Sequence, residues 1–206
     1  MTRWTVLFLL GAFHGLNPGM GWLFAVARGM QEKRSRAVVG ALVPITLGHA
    51  LAIAAALLVA GLVEMLVPLT YLNFAIGFVL IGYGLYRLYR SRHFGWSRMQ
   101  VGFSQLTLWS FLMATAHGAG LMVLPVVTAL GTHGHSGMMH GGMAQRGIGG
   151  VEATLAHTAG YLLVTAAVAL LVFEKLGLAM LRSAWFNLDF VWAVALIVTG
   201  CAALIA

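Results

Sequence analysis

Apolar residues run along this chain in six long blocks, at about Val6–Ala27, Ala41–Val63, Tyr71–Leu88, Leu106–Leu130, Val151–Phe173 and Leu188–Ala206. Each comes close to the roughly 20 residues that a helix needs to cross about 30 Å of hydrocarbon. The short apolar–polar alternation of a membrane barrel strand is missing from all of them. The pattern predicts an all-α membrane protein with six transmembrane helices. The first block is long and carries polar residues at mid-depth, so it reads as a helix of the mature protein and not as a signal peptide. The connections are short, so residues 1–206 are expected to form a single transmembrane domain.

Two blocks break the apolar pattern in a related way. "GAFHGLN" (11–17) lines up with "ATAHGAG" (114–120), "TLGHA" (46–50) with "TLAHT" (154–158), and "LNF" (72–74) with "FNL" (186–188). The order is the same in each half: a His-Gly helix, a Thr-Leu-small-His helix, then an Asn-bearing helix. Three helices per half is an odd number, so the second half would enter the membrane from the opposite side. The expectation is two inverted three-helix repeats, about 1–100 and 101–206. Folds of that kind place the substrate near the bilayer midplane, where interrupted helices meet.

Composition fits this reading. Hydrophobic residues make up 61% of the chain and charged ones 8%, and mean hydropathy is +0.92. A soluble domain carries roughly a quarter charged residues. The net charge of +7 is explained by where the charges lie. Arg28, Lys33, Arg34, Arg36, Arg87, Arg90, Arg92, Arg98, Lys175 and Arg182 fall in connections on one side, leaving Arg3 and Arg146 on the other. The positive-inside rule makes the first side cytoplasmic. Both termini and the connection at 131–150 are then extracytoplasmic, and a bacterial inner membrane is the expected location. The basic excess is topology and not a nucleic-acid footprint. The single cysteine, Cys201, permits no intramolecular disulfide and reads as a small packing residue.

The repeat directs attention to four histidines. His14, His49 and His117 fall close to mid-depth of their segments and His157 slightly outward, each on a different helix. A strongly polar group at that depth is a functional candidate by default. Thr46 and Thr154 stand three residues before His49 and His157, on the same helix face, where their hydroxyls would orient the imidazoles or line a polar pathway. Asn17 is either a contact between helices or a carbonyl ligand, and Pro18 favours a kink. Imidazole is a common metal ligand suited to zinc, copper, nickel, cobalt and iron. The stretch "GTHGHSGMMHGGM" (131–143) adds His133, His135 and His140 with Met138, Met139 and Met143. Thioether with imidazole favours copper, and the histidines alone accept nickel, cobalt or zinc. Spaced by glycines, these residues read as an auxiliary, flexible metal-binding loop.

The run "LLGAFHGLNPGMGW" resembles the first-helix motif of nickel/cobalt transporters and urease-accessory membrane proteins of the LysE-like superfamily. The shared elements are Gly11, His14, Gly15 and Pro18, with the layout of the whole chain. The resemblance implies two inverted three-helix repeats and transport of a small substrate. Those families follow the proline region with an acidic residue and a second histidine. This chain has Gly19 and Met20 there, which moves the ligand set towards His14, the repeat-related histidines and Met20.

The expected function is a secondary transporter, not an enzyme, that carries a transition-metal ion of the nickel, cobalt, copper or zinc class. The metal site would be His14, His49, His117 and His157, with Asn17, Met20, Thr46 and Thr154 lining the path. There is no GxxxxGK[ST] run, so no nucleotide is expected. Histidines that release a metal accept protons near neutral pH, which suits proton coupling. The expected partners are the lipid bilayer and the ion, with no nucleic acid, and the chain is compatible with a homo-oligomer. Two alternatives stand beside this. One is a bis-His haem protein that carries electrons; the other is a LysE-type exporter of an amino acid or other organic solute.

Overall fold

A computed structural model of the protein describes residues 3–64, 69–89, 102–131, 142–176 and 188–205. Among these the regular structure is all helical, with no strand. In chain order the helices are α1 (Arg3–Leu16), a 3-10 turn (Pro18–Met20), α2 (Trp22–Glu32), α3 (Ser35–Glu64) and α4 (Leu69–Tyr89). There follow α5 (Phe103–Ala116), α6 (Ala119–Gly131), α7 (Gly142–Leu171) with a π-helical turn (Val172–Leu176), and α8 (Leu188–Ile205).

Two helices are long and apolar enough to cross a membrane, at Ser35–Val63 and Gly149–Lys175. Phe103–Ala116 and Ala119–Val127, bent by 59° at their junction, make a third if the pair is one span. The apolar parts of α4 and α8, at Phe74–Tyr89 and Ala193–Leu204, are shorter. Large apolar side chains such as Leu58, Phe78 and Leu163 face outward. An exterior of that kind suits a chain surrounded by lipid.

The first and fourth apolar blocks are each two helices, not one. In the first, Pro18 has no N–H to continue the ladder, and its ring would meet the carbonyl four residues back. The chain therefore leaves α1 at Leu16, turns through Pro18–Met20, and restarts after Gly21, whose φ of +126° no ordinary L-residue adopts easily. In the fourth, Gly118 at φ +71° ends α5 and admits α6. Helix starts also differ from the apolar blocks. α3 begins at Ser35 and α7 at Gly142, because hydropathy marks where a helix turns apolar and not where its hydrogen bonds begin. Residues 142–150, read from sequence as loop, are thus helical. Met143 belongs to α7. His133, His135, Met138, Met139 and His140 lie outside the described residues. The early start also moves His157 to the middle of its helix, matching His49 midway along α3.

The principal helix pairs are α1 with α7, α3 with α5, and α4 with α8, and α3 also touches α7. α1 and α7 approach so closely that a Cβ at Gly11 would overlap the His157 carbonyl, and one at Gly160 would overlap that of Phe8. α7 thus packs against both α1 and α3. At the end of α2, Glu32 accepts from Arg28 Nε at 3.0 Å and pairs with Arg34, while Lys33 adopts the left-handed conformation at φ 51°. The hydrogen bond from Arg28, then that from Arg34, holds the Glu32 carboxyl below its ordinary pKa.

Candidate functional site

The two helix breaks each follow a histidine that is held in the same way. His14 Nδ1 donates to the Leu10 carbonyl at 2.8 Å, and His117 Nδ1 donates to the Met113 carbonyl at 2.8 Å. A carbonyl can only accept, so the proton is on Nδ1 and Nε2 carries the lone pair. A fixed Nδ1–H of this kind is the usual support of an imidazole that ligates through Nε2. His14, His49 and His157 are fully buried, and His117 nearly so.

Three of the rings meet at the centre. The His14 centroid lies 5.7 Å from that of His49 and 4.9 Å from that of His157, and His49 lies 5.5 Å from His157. Imidazoles bound to one ion at about 2 Å from each nitrogen would have centroids roughly 5–5.5 Å apart. The spacing is therefore that of a shared ligand set. The orientation is not. His49 and His157 are nearly parallel, at 10°, and His14 stands at 66° and 69° to them. No group of three or more His, Cys, Asp or Glu among the described residues has its donors arranged to hold a metal. A common ion would require the rings to turn. His117 approaches from α5: a Cβ at Gly19 would lie 3.9 Å from its Cε1, and it is near enough to act electrostatically on His14.

Polarity around the rings is sparsely satisfied. Both ring nitrogens of His49 and of His157 are buried without a protein hydrogen-bond partner; His157 lies beside the Leu7 carbonyl, outside full bonding geometry. Buried polar groups are hydrogen-bonded in the great majority of cases, so these exceptions ask for an explanation. Acids do not supply one. Glu152 and Glu174 are exposed, Glu32 sits at the end of α2, and no described acidic side chain is buried.

The predicted path residues divide. Thr154 turns its hydroxyl to the Gly150 carbonyl at 2.9 Å, within its own helix and not towards an imidazole. Thr46 Oγ1 is buried without a partner. Asn17 is the N-cap of the 3-10 turn: its Oδ1 accepts from Gly19 N–H at 2.9 Å, while its Nδ2 is unpartnered. The carbonyl is therefore engaged in holding the break. Met20 is buried in the main apolar cluster with Trp22, Ile45 and Met122. Cys201 does not pack inside; it is exposed on α8.

Sequence reasoning missed Tyr161. It is fully buried, its ring stacks on His49 with centroids 3.8 Å apart, and its hydroxyl donates to the Met20 carbonyl at 2.5 Å. The signal was its place four residues after His157, on the same face. Three other side chains satisfy carbonyls at the breaks. Trp22 Nε1 donates to Leu16 at 3.1 Å, Thr165 Oγ1 to Gly15 at 3.4 Å, and the Tyr83 hydroxyl to Ala116. Ser110, also unforeseen, donates to the Ile45 carbonyl at 2.6 Å and ties α5 to α3.

No protein-family model, curated protein or solved structure matches this chain.

Proposed function

We propose that this chain is a secondary transporter for a transition-metal cation, with six membrane segments arranged as two inverted three-helix repeats around a central histidine site. The observation that carries the proposal is the set of three fully buried imidazoles, from α1, α3 and α7, at ligand-like spacing. Two of them lack any protein hydrogen-bond partner. A core built for stability alone gains nothing from such groups, because each unsatisfied one costs about 1–3 kcal/mol.

The packing supports the repeat. Exchanging the halves turns the α1–α7 pair into the α5–α3 pair and leaves α4–α8 unchanged, and those are the principal contacts. Each half also breaks just after a histidine whose Nδ1 bonds the carbonyl four residues back. Interrupted helices at a repeat interface are where transporters of this architecture hold their substrate. The resemblance of residues 9–22 to nickel/cobalt transporters and urease-accessory proteins points the same way. The ion would reach the centre between the two breaks, and rocking of one repeat against the other would expose it to the opposite side. Three rings packed against one another favour an ion over a haem, because a porphyrin between two axial imidazoles needs a flat slot that this spacing does not leave.

The test is elemental analysis of the purified protein, followed by metal uptake into proteoliposomes. Uptake above that of protein-free vesicles is expected. Absence of both bound and transported metal would sink the proposal, and a Soret band in the absorbance spectrum would replace it with the haem reading.

A further inference from the structure

The turn between α2 and α3 carries a charge pattern that the central site does not use. Arg28, Lys33, Arg34 and Arg36 stand at it, with Glu32 as the acid among them, and Lys33, Arg34 and Arg36 are exposed. The turn is closely held. A Cβ at Gly29 would overlap Val38 and touch the Phe173 ring. The Gly29 carbonyl accepts from Arg34 N–H at 3.1 Å, and the Arg34 carbonyl accepts from Ala37 N–H at 3.1 Å. Glu32 accepts from Arg28 Nε at 3.0 Å and from Arg34 Nε at 2.9 Å, so it orders both guanidiniums and cancels one charge. Among the described residues Lys33 is the one non-glycine at positive φ, 51°. Helices commonly close through that conformation on glycine, which meets no steric penalty in it. A topology bias decides on which side of a membrane basic residues fall. It asks neither for a fixed turn nor for a lysine at its strained corner.

The turn stands where the lipid-facing exterior ends. Contacts follow α7 in order: Gly11 meets His157, Gly15 meets Tyr161, and Gly29 meets Phe173. α1 and α2 therefore run along α7 in its own direction, and the turn lies at the end of the molecule opposite to Arg3. Met30, just before the turn on α2, and Val39 and Val43, just after it on α3, are exposed apolar side chains. The exterior thus changes from apolar to cationic within about two helical turns, roughly 11 Å, as it does for a side chain that passes from hydrocarbon to headgroups. Glu174 and Lys175, exposed at the adjacent end of α7, offset one another. We propose that the α2–α3 turn binds the phosphate of an anionic phospholipid headgroup through Lys33 and Arg36, with Arg34 held beside them by Glu32 and the acyl chains on the apolar exterior of α2 and α3. Ammonium and guanidinium groups donate to phosphate oxygens, and basic clusters next to membrane helices attract anionic lipid. A zwitterionic headgroup brings its own cation to the patch and gains less. The bound lipid anchors the far end of α2, whose near end is the break at Gly21. The inference rests on the membrane-embedded fold and not on the ion carried.

The test is a thermal-unfolding titration of the full-length protein in non-ionic detergent at low salt. The probes are dioctanoyl phosphatidylglycerol, dioctanoyl phosphatidylcholine and sodium phosphate. A ligand of the folded state raises the unfolding midpoint as its concentration rises, so each titration gives an apparent affinity. Phosphatidylglycerol should bind more tightly than phosphatidylcholine, and the preference should fade as salt is added. Lys33→Gly and Arg36→Gln should each weaken phosphatidylglycerol by about fivefold, the effect of one charge at a membrane surface. Without lipid, Lys33→Gly should be no less stable than wild type, because glycine adopts that corner freely. Arg3→Gln, at the opposite end, should keep the full preference. Equal affinity for the two lipids overturns the inference, as does a preference unchanged in both turn variants or lost equally in Arg3→Gln. Stabilisation by sodium phosphate to the same degree would make the turn a site for free oxyanions and would overturn the lipid assignment. Metal uptake is not read in this experiment, so each outcome leaves the transporter reading standing.

Discussion

The Tyr161 ring lies flat on the His49 ring, with centroids 3.8 Å apart and planes within 5°, while the Tyr161 hydroxyl reaches the Met20 carbonyl at 2.5 Å. One side chain of α7 thereby fixes an imidazole of α3 and satisfies a carbonyl freed by the break between α1 and α2. Tyr83 of α4 donates in the same manner to Ala116, at the end of α5. Each interruption of a helix is thus held by a phenol from another helix, which satisfies carbonyls that the helix ladder no longer reaches.

Replacing Tyr161 separates its two roles. Tyr161→Phe keeps the ring on His49 and leaves the Met20 carbonyl buried without its donor, at a cost of about 1–3 kcal/mol. Tyr161→Ala also removes the stack and opens a cavity, for which losses of about 3–5 kcal/mol are typical of large aromatics. Thermal unfolding in detergent should rank wild type above the Phe variant and the Phe variant above the Ala variant. A Phe variant as stable as wild type would show that the hydroxyl does not hold the break.

Glycine substitutions should sort by what a new Cβ meets. At Gly11 it would meet the His157 carbonyl and at Gly160 the Phe8 carbonyl, both backbone atoms that cannot rotate away. Gly11→Ala and Gly160→Ala should each lower stability by about 1–3 kcal/mol through overpacking of the α1–α7 contact. Gly40 and Gly61 in α3 have open space around them, so alanine there should be neutral or stabilising by up to about 1 kcal/mol through helix propensity. The four variants can be ranked by their unfolding midpoints. Equal effects at all four positions would contradict the close approach.

How far the sequence foretold this arrangement depends on the scale. The helices were legible because blocks of apolar residues carry their own signal, and His14, His49 and His157 stood out because polar groups are rare within such blocks. The breaks at Asn17–Gly21 and at Gly118 were only half legible. Pro18 forbids a continuous ladder, but nothing local to Gly118 distinguishes a left-handed glycine from one that merely admits a neighbouring helix. The hydrogen bonds of Thr154 and Asn17 were not legible, because a hydroxyl or amide bonds the nearest free backbone group first, and that choice depends on distances no periodicity encodes. Tyr161 was hidden among apolar neighbours, since its partners lie 112 and 141 positions away in the chain.

Gly118 should tolerate substitution poorly. Its φ of +71° disfavours any residue with a Cβ, and that Cβ would lie 3.2 Å from Leu196 Cδ2. Gly118→Ala should cost about 1–2 kcal/mol from the backbone alone. If it alters transport as well as stability, the bend between α5 and α6 matters to the cycle. A variant as stable as wild type would refute the strain.

A pH effect is expected at the end of α2. Arg28 and Arg34 lower the Glu32 pKa in the folded protein, so the ionised carboxylate favours folding. That contribution is fully present above the pKa of an unfolded glutamate and is lost as pH falls through the depressed folded value. The difference in unfolding midpoint between wild type and Glu32→Gln should therefore be present at neutral pH and shrink in acid. A difference that grows on acidification would reverse the assignment. Glu32 is only partly covered, so the effect should be small and screened by salt.

The decisive substitutions are at the three rings, and at His49 stability and function should move in opposite directions. His49 is fully buried, and neither of its nitrogens has a protein partner. Replacing it with leucine, of similar bulk, removes an unsatisfied group worth about 1–3 kcal/mol and forfeits a Tyr161 stack worth about 0.5–1.5 kcal/mol. The first term is the larger, so His49→Leu should be at least as stable as wild type. If the rings form the site, it should nevertheless lose metal uptake. His14→Ala and His157→Ala should lose it too, and His117→Ala should impair it, whereas His93→Ala, outside the described residues among the basic connections, should leave it near normal. A purely architectural role predicts the opposite pairing: substitutions in the rings would lower the unfolding midpoint, and the protein that survives would transport normally. Measuring both quantities on each variant separates the two. A stable His14→Ala protein with normal uptake would end the case for a histidine site, and the helix would then be broken for packing alone.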